Sequence, residues 1–336
     1  MLSGGLLEMD SYYSDRSVLI TGGLGFIGSN LAWRLVQMGA NVVIVDSMIP
    51  GHGATMENIQ GLEDDIVVVL SDIREADQMR ELVRGQELIF SLAGQVSHSE
   101  SMVDPATDLS INCLGHLSLL ECCRLEKLTP KIIYPSTRQV FGKPNYLPVD
   151  ELHPLSPVDF NGIHKLAAEY YYSLYHDVFG IPSVCLRLTN TYGPRMDIDN
   201  SRKGFIGVFI RKALSGDVID IFGSGQQQRD LNYVEDVVDA LLLSGSNDQV
   251  NGKIFNLGHP GPVTLLEIVS MLDNILGCEY RIIDFPPDAA AIDIGDYCGD
   301  YQKFNLVTGW EPKVAVEEGL RRTVEWYLEK DRGLIH

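Results

Sequence analysis

The stretch with the clearest chemistry is a turn that contains three glycines, Gly22, Gly25 and Gly28. It follows the apolar run 18–20 and precedes a helical pattern that opens with Phe26 and Ile27. Glycines at this spacing let the backbone turn sharply off a strand and let a pyrophosphate approach without a Cβ in its way. The free N–H groups at the start of the helix then face the anion. We therefore expect these five residues to bind a dinucleotide.

A carboxylate follows at the end of the next strand pattern. The run 41–45 ends in Asp46, 18 residues after Gly28. At this distance a carboxylate is expected to accept hydrogen bonds from the adenosine ribose. It would also repel a 2′-phosphate, and the stretch 47–50 offers no arginine to receive one. The sequence therefore predicts NAD, and not NADP, as the cofactor.

These residues need a sheet to hold them, and the chain alternates strand and helix patterns in the order that builds one. Beyond Asp46, the patterns of the first half cover 66–70, 75–83, 87–93, 105–128, 131–134, 159–178 and 183–188. This alternation predicts an α/β fold with a Rossmann-type, doubly wound parallel sheet. The glycine turn would then lie at the carboxyl edge of the sheet, where open α/β folds bind ligands.

The regularity ends after Thr189, where loops rich in Gly, Pro and Asp alternate with helical patterns. We interpret this part as a smaller C-terminal α+β substrate-binding domain that caps the sheet. The predicted division is residues 1–188 for the cofactor domain and 189–336 for the substrate domain. A piece at about 234–257 is expected to return to the sheet.

Composition excludes several classes of function. A net charge of −20 over 336 residues argues against binding to nucleic acid or to an anionic membrane. The six cysteines lack metal-type spacing, which favours free thiols in a reducing compartment and no metal site. Residues 1–16 contain no apolar signal region, and no apolar run approaches the ~20 residues that span a bilayer. A cytoplasmic protein is predicted.

Further motifs extend the pattern along almost the whole chain. They are Thr-Gly-Gly-Leu-Gly-Phe-Ile-Gly at 21–28, Leu-Ala-Gly-Gln at 92–95, Ser-Thr-Arg-Gln-Val-Phe-Gly at 136–142, Lys-Leu-Ala-Ala-Glu at 165–169, Arg-Leu-Thr-Asn-Thr-Tyr-Gly-Pro-Arg at 187–195 and Gly-Ser-Gly-Gln-Gln-Gln-Arg-Asp at 223–230. With these motifs the chain resembles the extended short-chain dehydrogenase/reductase family. Within it, the similarity is to nucleotide-sugar epimerases and dehydratases of the UDP-glucose 4-epimerase type.

The resemblance implies a role for many residues. The three glycines would bind the NAD pyrophosphate and Asp46 the adenosine ribose. Asn112 would support the active-site helix, the alternative being a polar residue on a helix surface. The adenine and the underside of the cofactor would be contacted by Asp72, Ile73, Leu92, Ala93 and Gly94; for Asp72 a helix cap is the alternative.

On the substrate side, the resemblance implies that Thr137 hydrogen-bonds the sugar hydroxyl being oxidised and that Lys165 holds the nicotinamide ribose. Asn190 and Arg229 would bind the diphosphate of a nucleotide sugar, Arg229 as a bidentate clamp. Arg195 and Arg202 are expected to face solvent. Helices around 105–128 and 159–178 would pair with their symmetry mates in a homodimer.

The sequence departs from the family at its catalytic motif, Tyr-x-x-x-Lys, because the residue four before Lys165 is Asn161. An amide can position a hydroxyl or a water, but it cannot act as a base near neutral pH. His164 lies within the same helical turn and titrates in a useful range, so it is a candidate base; packing is the alternative role. Tyr134 and Tyr146 are looser candidates.

A second departure limits the reaction. Family 4,6-dehydratases have an Asp-Glu pair after the threonine, whereas this chain has Arg138-Gln139. Arg138 could instead meet an acidic sugar. The leading hypothesis is an NAD-dependent epimerase that transiently oxidises a hydroxyl at C4. The alternatives are an atypical dehydratase or decarboxylase, and a non-catalytic protein that binds NAD and a nucleotide sugar. The nucleotide and the sugar stay open.

Overall fold

The computed structural model describes residues 9, 11–200 and 204–333, so Arg202 lies outside the described residues. The described strands are β1 (Ser17–Thr21), β2 (Asn41–Asp46), β3 (Ile66–Leu70), β4 (Leu88–Ser91), β5 (Lys131–Thr137), β6 (Ser183–Leu188), β7 (Asn190–Tyr192), β8 (Ile219–Phe222), β9 (Gln228–Arg229), β10 (Leu231–Tyr233), β11 (Lys253–Asn256), β12 (Val263–Thr264) and β13 (Tyr280–Ile283).

The helices with printed bounds are α1 (Phe26–Gln37), α2 (Ala76–Val83), α3 (His98–Val103), α4 (Pro105–Leu109), α5 (His116–Leu125), α6 (Phe160–Phe179), α7 (Phe205–Ser215), α8 (Val234–Ser246), α9 (Leu265–Leu276), α10 (Pro287–Ile292), α11 (Gln302–Thr308) and α12 (Val316–Asp331). In the part of the chain that is described, no helix is long and apolar enough to cross a bilayer. Within the same part, no three His, Cys, Asp or Glu residues form a group that could hold a metal ion.

Seven parallel strands form the central sheet, in the order β11-β6-β5-β4-β1-β2-β3. Alternate side chains of β1 enter different cores: Val18 and Ile20 pack in one hydrophobic cluster and Leu19 in another. Both faces of the sheet are therefore covered, which explains why its strands are nearly continuous apolar runs. The predicted doubly wound fold is confirmed. Its strand order reverses at β1, where a crevice opens at the carboxyl ends.

Helix α6 determines the position of two candidate residues. The Asp159 side chain caps its start by accepting a hydrogen bond from Gly162 N at 2.7 Å, and Gly180 ends it in a left-handed conformation with φ 68°. Asn161 and Lys165 lie one turn apart on its buried face. The first turn of the helix therefore brings the amide and the amine to the same side.

The predicted single helix over 105–128 is interrupted. The structure has α4, then a π-helical segment (Ser110–Gly115), then α5, which ends at Leu125. Asn112 lies in the π-helical segment and is fully buried. The extra residue per turn changes the direction of the side chains beside the sheet.

The C-terminal part forms three two-stranded pairs, β7 with β10, β8 with β13, and β9 with β12. Helices α7, α9 and α12 pack with them around a separate hydrophobic core. Strand β11 pairs in parallel with β6, so this strand lies in the main sheet. The division into two domains at residue 188 stays a prediction.

Candidate active site

A cleft of about 330 Å³ lies at the carboxyl edge of the sheet. Its lining contains every residue that the sequence assigned to the cofactor: Gly22, Gly25, Phe26, Ile27, Gly28, Asp46, Asp72, Ile73, Leu92, Ala93, Gly94 and Lys165. It also contains Thr137, Arg138, Asn161 and Asn190. The candidates His164, Arg229, Tyr134 and Tyr146 are absent from this lining. One cleft therefore joins the predicted cofactor residues with Thr137, Arg138 and Asn190 on the substrate side.

The glycine turn has the close approaches that the sequence suggested. A Cβ on Gly28 would lie 2.3 Å from Gly22 O, and one on Gly22, whose φ is +71°, would lie 2.7 Å from Ala93 N. Gly25 precedes α1 and gives the helix no side-chain cap, so N–H groups of the first turn are open to an anion. This narrow, Cβ-free turn fits the pyrophosphate of a dinucleotide.

The Asp46 carboxylate is held between the turn and its own strand end. Oδ2 accepts a hydrogen bond from Leu24 N at 3.1 Å, and Oδ1 accepts one from Met48 N at 2.9 Å. Burial raises the pKa of Asp46, and the two backbone hydrogen bonds oppose this shift. Each carboxylate oxygen has a second lone pair, so the group can still accept from a ribose hydroxyl.

Asp72 does not cap a helix as the alternative reading supposed. Its two oxygens accept three hydrogen bonds from the Arg74 backbone and guanidinium, the nearest at 2.7 Å. The hydrogen bond from the Arg74 side chain lowers the pKa of Asp72. Asp72 therefore lines the cleft as an ionised carboxylate whose orientation is fixed by its neighbour.

Thr137 and Lys165 lie at the other end of the cleft. Thr137 ends β5, and its Oγ1 accepts a hydrogen bond from Gln139 N at 3.2 Å. Burial lowers the pKa of Lys165 to about 8, while the charges of Asp108 and Glu169 oppose this shift. A Cβ on Gly94 would lie 3.6 Å from Lys165 Nζ. The amine is therefore held close to the segment expected to pass beneath the cofactor.

Asn112 and Asn161 both form hydrogen bonds with the backbone of Gln95, the residue that follows the 92–94 segment. Asn112 exchanges two hydrogen bonds with the Gln95 backbone, at 2.9 and 3.1 Å, so the helix-surface alternative for Asn112 is wrong. Asn161 Nδ2 donates to the same Gln95 O at 2.8 Å and to Asp108 Oδ2 at 3.2 Å. No described residue donates to Asn161 Oδ1. The Asn161 amide thus has the geometry of a positioning group.

The structure places His164 outside the cleft lining. The residue lies three positions beyond Asn161 on α6, and its Nδ1 is 2.6 Å from Asp108 Oδ1. Its ring stacks on Phe160 with 6.1 Å between centroids. The alternative that the sequence offered, a packing role, fits this geometry.

The two tyrosines considered as bases are also displaced from the cleft. Tyr134 is fully buried and stacks on Tyr172 at 4.7 Å, and burial raises its pKa well above the ordinary value. Tyr146 is exposed and its hydroxyl donates to Asp150 at 2.7 Å. Neither lines the cleft.

Comparisons with known proteins agree with this geometry. Residues 18–258 match the model of the NAD-dependent epimerase/dehydratase family. The chain belongs to the NAD-dependent epimerase/dehydratase family. Members of this family are enzymes, and the cleft described above fits their NAD cofactor.

Individual relatives cover nearly the whole chain. A putative UDP-glucose 4-epimerase of Methanocaldococcus jannaschii is 33% identical, over 94% of this chain and 99% of the relative. UDP-glucuronic acid decarboxylase 1 of Danio rerio is 30% identical, over 93% of this chain and 72% of the relative. The structure of UDP-glucose 4-epimerase from Thermotoga maritima with UDP-glucose has a TM-score of 0.86 and 31% identity, covering 94% of this chain and 99% of the other. The family is therefore clear, whereas the relatives catalyse different reactions.

Within this family fold, Arg138 is a cation with an unused donor. Its Nη2 donates to Asn190 Oδ1 at 3.2 Å, and its guanidinium lies 5.1 Å from the Tyr297 ring centre. No described residue accepts from its buried Nη1. Burial and the charge of Arg229 lower the pKa of Arg138 to about 10, so it stays charged at neutral pH. Burial raises the pKa of its nearby carboxylate, Asp230, to about 7.

Arg229 is buried and its guanidinium is committed to the 293–295 segment. Nη1 donates to Gly295 O at 2.6 Å, and Nη2 forms an ion pair with Asp293 Oδ1 at 2.9 Å. The phosphate clamp expected at Arg229 stays a prediction, and in this structure the guanidinium donates to Asp293 and Gly295. The expectation for Arg195 is wrong, since it is half-buried and donates to Asn58 O at 3.0 Å.

Sequence reasoning missed two residues beside the cleft, His98 and Asp159. His98 lines the cleft, and its Nδ1 lies 3.2 Å from Asp159 Oδ2. A signal was available, because His98 follows the loop at the carboxyl end of β4, on the ligand-binding edge of the sheet. The partner Asp159 could not be inferred from spacing.

Proposed function

We propose that the protein is an NAD-dependent nucleotide-sugar epimerase that transiently oxidises a sugar hydroxyl at C4. The observation that carries this proposal is the meeting of Thr137 and Lys165 with the glycine turn in one cleft. The two residues after Thr137 favour epimerisation over elimination. Arg138 is a cation, and Gln139 Nε2 donates to Asp159 at 3.2 Å, so neither supplies a carboxyl acid or base.

Each residue has a physical task in this reaction. Thr137 Oγ1 already accepts from Gln139 N, which leaves its O–H to donate to the substrate hydroxyl. The Lys165 ammonium places positive charge beside that hydroxyl and favours loss of its proton. Asn161 takes the place of the family tyrosine and positions the loop at Gln95. NAD bound in this cleft would supply the hydride-transfer chemistry beside Thr137 and Lys165.

Nucleotide sugars are the proposed substrates because the relatives of both reaction types are named for UDP-sugars. Asn190 lies at the cleft, where its amide could contact the diphosphate. Arg229 instead supports the neighbouring loop through Asp293. The base and the sugar are left to experiment.

A second candidate is a decarboxylase that acts on a nucleotide-linked uronic acid. The specific observation in its favour is Arg138, whose buried Nη1 has no described partner next to Thr137. A sugar carboxylate would satisfy this donor with a charge-assisted hydrogen bond. The same contact would suit an epimerase that prefers an acidic sugar.

The proposed functional unit is a homodimer. Along α6, apolar side chains are exposed at positions that share one helix face: Ile163, Tyr170, Leu174 and Val178. Leu109 and Leu114 are also exposed on the adjacent helices, whereas Leu119 and Leu120 are buried in the core and Leu117 is partly buried against it. The leucines of this region therefore do not all face the sheet. Such a stripe is typical of a surface covered by another chain.

The test is incubation of the purified protein with a panel of UDP-, dTDP- and GDP-sugars that includes UDP-glucose and UDP-glucuronate. Products are followed by mass and NMR. An unchanged mass with altered ring couplings supports the epimerase. Loss of the mass of carbon dioxide would support the decarboxylase, and loss of the mass of water would contradict both.

A further inference from the structure

His98 is a histidine of the cleft for which the proposed reaction has so far no use. It begins α3, and about a third of its side chain is exposed (35%). Thr137, Asn161 and Lys165 line the same cleft. Among the histidines that the structure describes, His52 also reaches the lining, but it lies on the loop after Asp46, at the adenosine end.

A buried carboxylate lies directly behind this ring. Asp159 Oδ2 is 3.2 Å from His98 Nδ1 and accepts a hydrogen bond from Gln139 Nε2 at 3.2 Å. Its Oδ1 accepts from Gly162 N at 2.7 Å as the cap of α6. The carboxylate is thus fixed by a helix start and by a buried amide, so it can fix the ring in turn.

Asp159 has the charge that this arrangement requires. Burial alone would raise its pKa, but the hydrogen bond and charge of His98, the Gly162 N–H and the charge of Arg138 together lower it below the ordinary value. Asp159 Oδ2 lies at an ion-pair distance from Nδ1, so the carboxylate faces that nitrogen. The other nitrogen, Nε2, has no hydrogen-bond partner among the described residues and is left to accept a proton.

A short chain of contacts places His98 next to Asn161. Ser101 Oγ donates to His98 O at 2.7 Å and accepts from Asn161 N at 3.3 Å. One hydroxyl therefore joins the backbone of the histidine to the backbone of the residue that replaces the expected tyrosine. Both side chains line the cleft, so His98 lies on the side of the site where a proton acceptor is missing.

We propose that His98, held by Asp159, is the general base and acid of this enzyme. As the sugar hydroxyl is oxidised, its O–H bond breaks and the proton moves to His98 Nε2, while the C–H bond gives its electron pair to NAD as hydride. On return, the C=O is reduced and the imidazolium gives the proton back to oxygen. The inference rests on the proposed function, because it assigns the proton of that oxidation.

Charged groups from several elements surround this dyad and would shape its titration. Asp159 and Lys165 come from α6 and its cap, Arg138 follows β5, and Glu100 lies on α3 itself. Glu100 is 3.3 Å from Gln95 Nε2. The His98 side chain is partly exposed, whereas that of His164 is buried.

The test uses the nucleotide sugar that the wild-type protein converts in the panel above. We compare His98→Gln and His98→Ala with His164→Gln and with His176→Gln, a control on α6 away from the cleft. The His98 variants should lose about 10²–10⁴-fold in kcat, with KM and NAD affinity almost unchanged. Added imidazole should restore part of the activity of His98→Ala. The pH–rate profile should lose a histidine ionisation in the His98 variants and keep it in His164→Gln.

Asp159→Asn preserves the helix cap and should lower kcat by less than the His98 variants. NAD affinity and the melting temperature report whether each variant is folded. A His98→Gln enzyme with kcat within a few-fold of wild type overturns the inference and leaves the proposed function standing. Loss of kcat in His164→Gln, with activity restored to that variant by added imidazole, would also overturn the inference and leave the proposed function standing. A folded, NAD-binding wild type that converts no panel member overturns both.

Discussion

The two ends of the cleft differ in what holds them together. At the cofactor end, backbone geometry decides: Gly22 and Gly28 leave no room for a Cβ, and Asp46 is bonded to two backbone N–H groups. At the sugar end, side chains hold one another across long sequence separations, as in the Arg229–Asp293 ion pair. The backbone requirements of the turn can be predicted from the local sequence. Contacts between side chains that are distant in sequence cannot be predicted in this way.

The largest effect on turnover is expected at Lys165, which lies where the two ends of the cleft meet. Lys165→Ala should abolish turnover, a loss of about 10⁴-fold or more, and weaken NAD binding, because the buried ammonium would serve both halves. Its pKa of about 8 means that the charge is present below that pH and lost as pH rises through it, so wild-type turnover should fall on the alkaline side. The exposed Lys143→Ala is the control. Full activity of Lys165→Ala would place the chemistry elsewhere.

The preference for NAD over NADP tests the electrostatic role of the Asp46 carboxylate. NAD should bind about 100-fold more tightly than NADP, since a 2′-phosphate would meet a carboxylate held by Leu24 and Met48. Asp46→Asn should narrow the difference. Calorimetric dissociation constants measure it, and equal affinities of the wild type for the two cofactors would show that Asp46 does not read the ribose.

Steric fit tests the glycine turn. Gly28→Ala should weaken NAD binding about 10–100-fold, because its Cβ would lie 2.3 Å from Gly22 O. Gly261→Ala is a matched control, since a Cβ there would meet its nearest atom at 3.7 Å. Calorimetry with a melting curve separates a lost site from a lost fold. Unchanged affinity in a folded Gly28→Ala would contradict the turn's role.

Substitution of Arg229 tests whether this residue stabilises the fold or binds phosphate. Arg229→Gln should lower the free energy of unfolding by about 1–3 kcal/mol, because Asp293 and Gly295 O lose a buried donor. UDP affinity should change only a few-fold. Denaturant unfolding and calorimetry give the two numbers. A large loss of UDP affinity with unchanged stability would restore the phosphate clamp.

Substitutions on the exposed face of α6 should have the smallest effect on the cleft. Tyr170→Asp with Leu174→Asp should convert a dimer to a monomer by light scattering, because charge would be buried in an apolar contact. The exposed Leu306→Asp, on α11, is the control. A wild-type mass equal to one chain at micromolar concentration would contradict the dimer.

The sequence predicted the parallel sheet, because strand periodicity acts locally. The residues expected to bind the cofactor line one cleft, since glycine spacing is also a local signal. The sugar end was harder to predict, because its contacts join residues that are far apart in sequence. His164 has the right residue type and helical turn, but Asp108, 56 residues earlier, holds its ring outside the cleft lining. His98 could be recognised as a candidate only in the folded structure, where Asp159 lies behind its ring. The break in the predicted 105–128 helix had no sequence signal that we could use.

The proposed reaction is transient oxidation of the sugar at C4 with NAD as the hydride acceptor. It is tested most directly with a converted nucleotide sugar that carries deuterium at C4, incubated in ordinary water, and by the unlabelled sugar in deuterium oxide. Transient oxidation by NAD should give an epimer that keeps deuterium at C4 in the first experiment and takes up none on carbon in the second. Loss of the C4 label, or solvent deuterium on the ring, would contradict it.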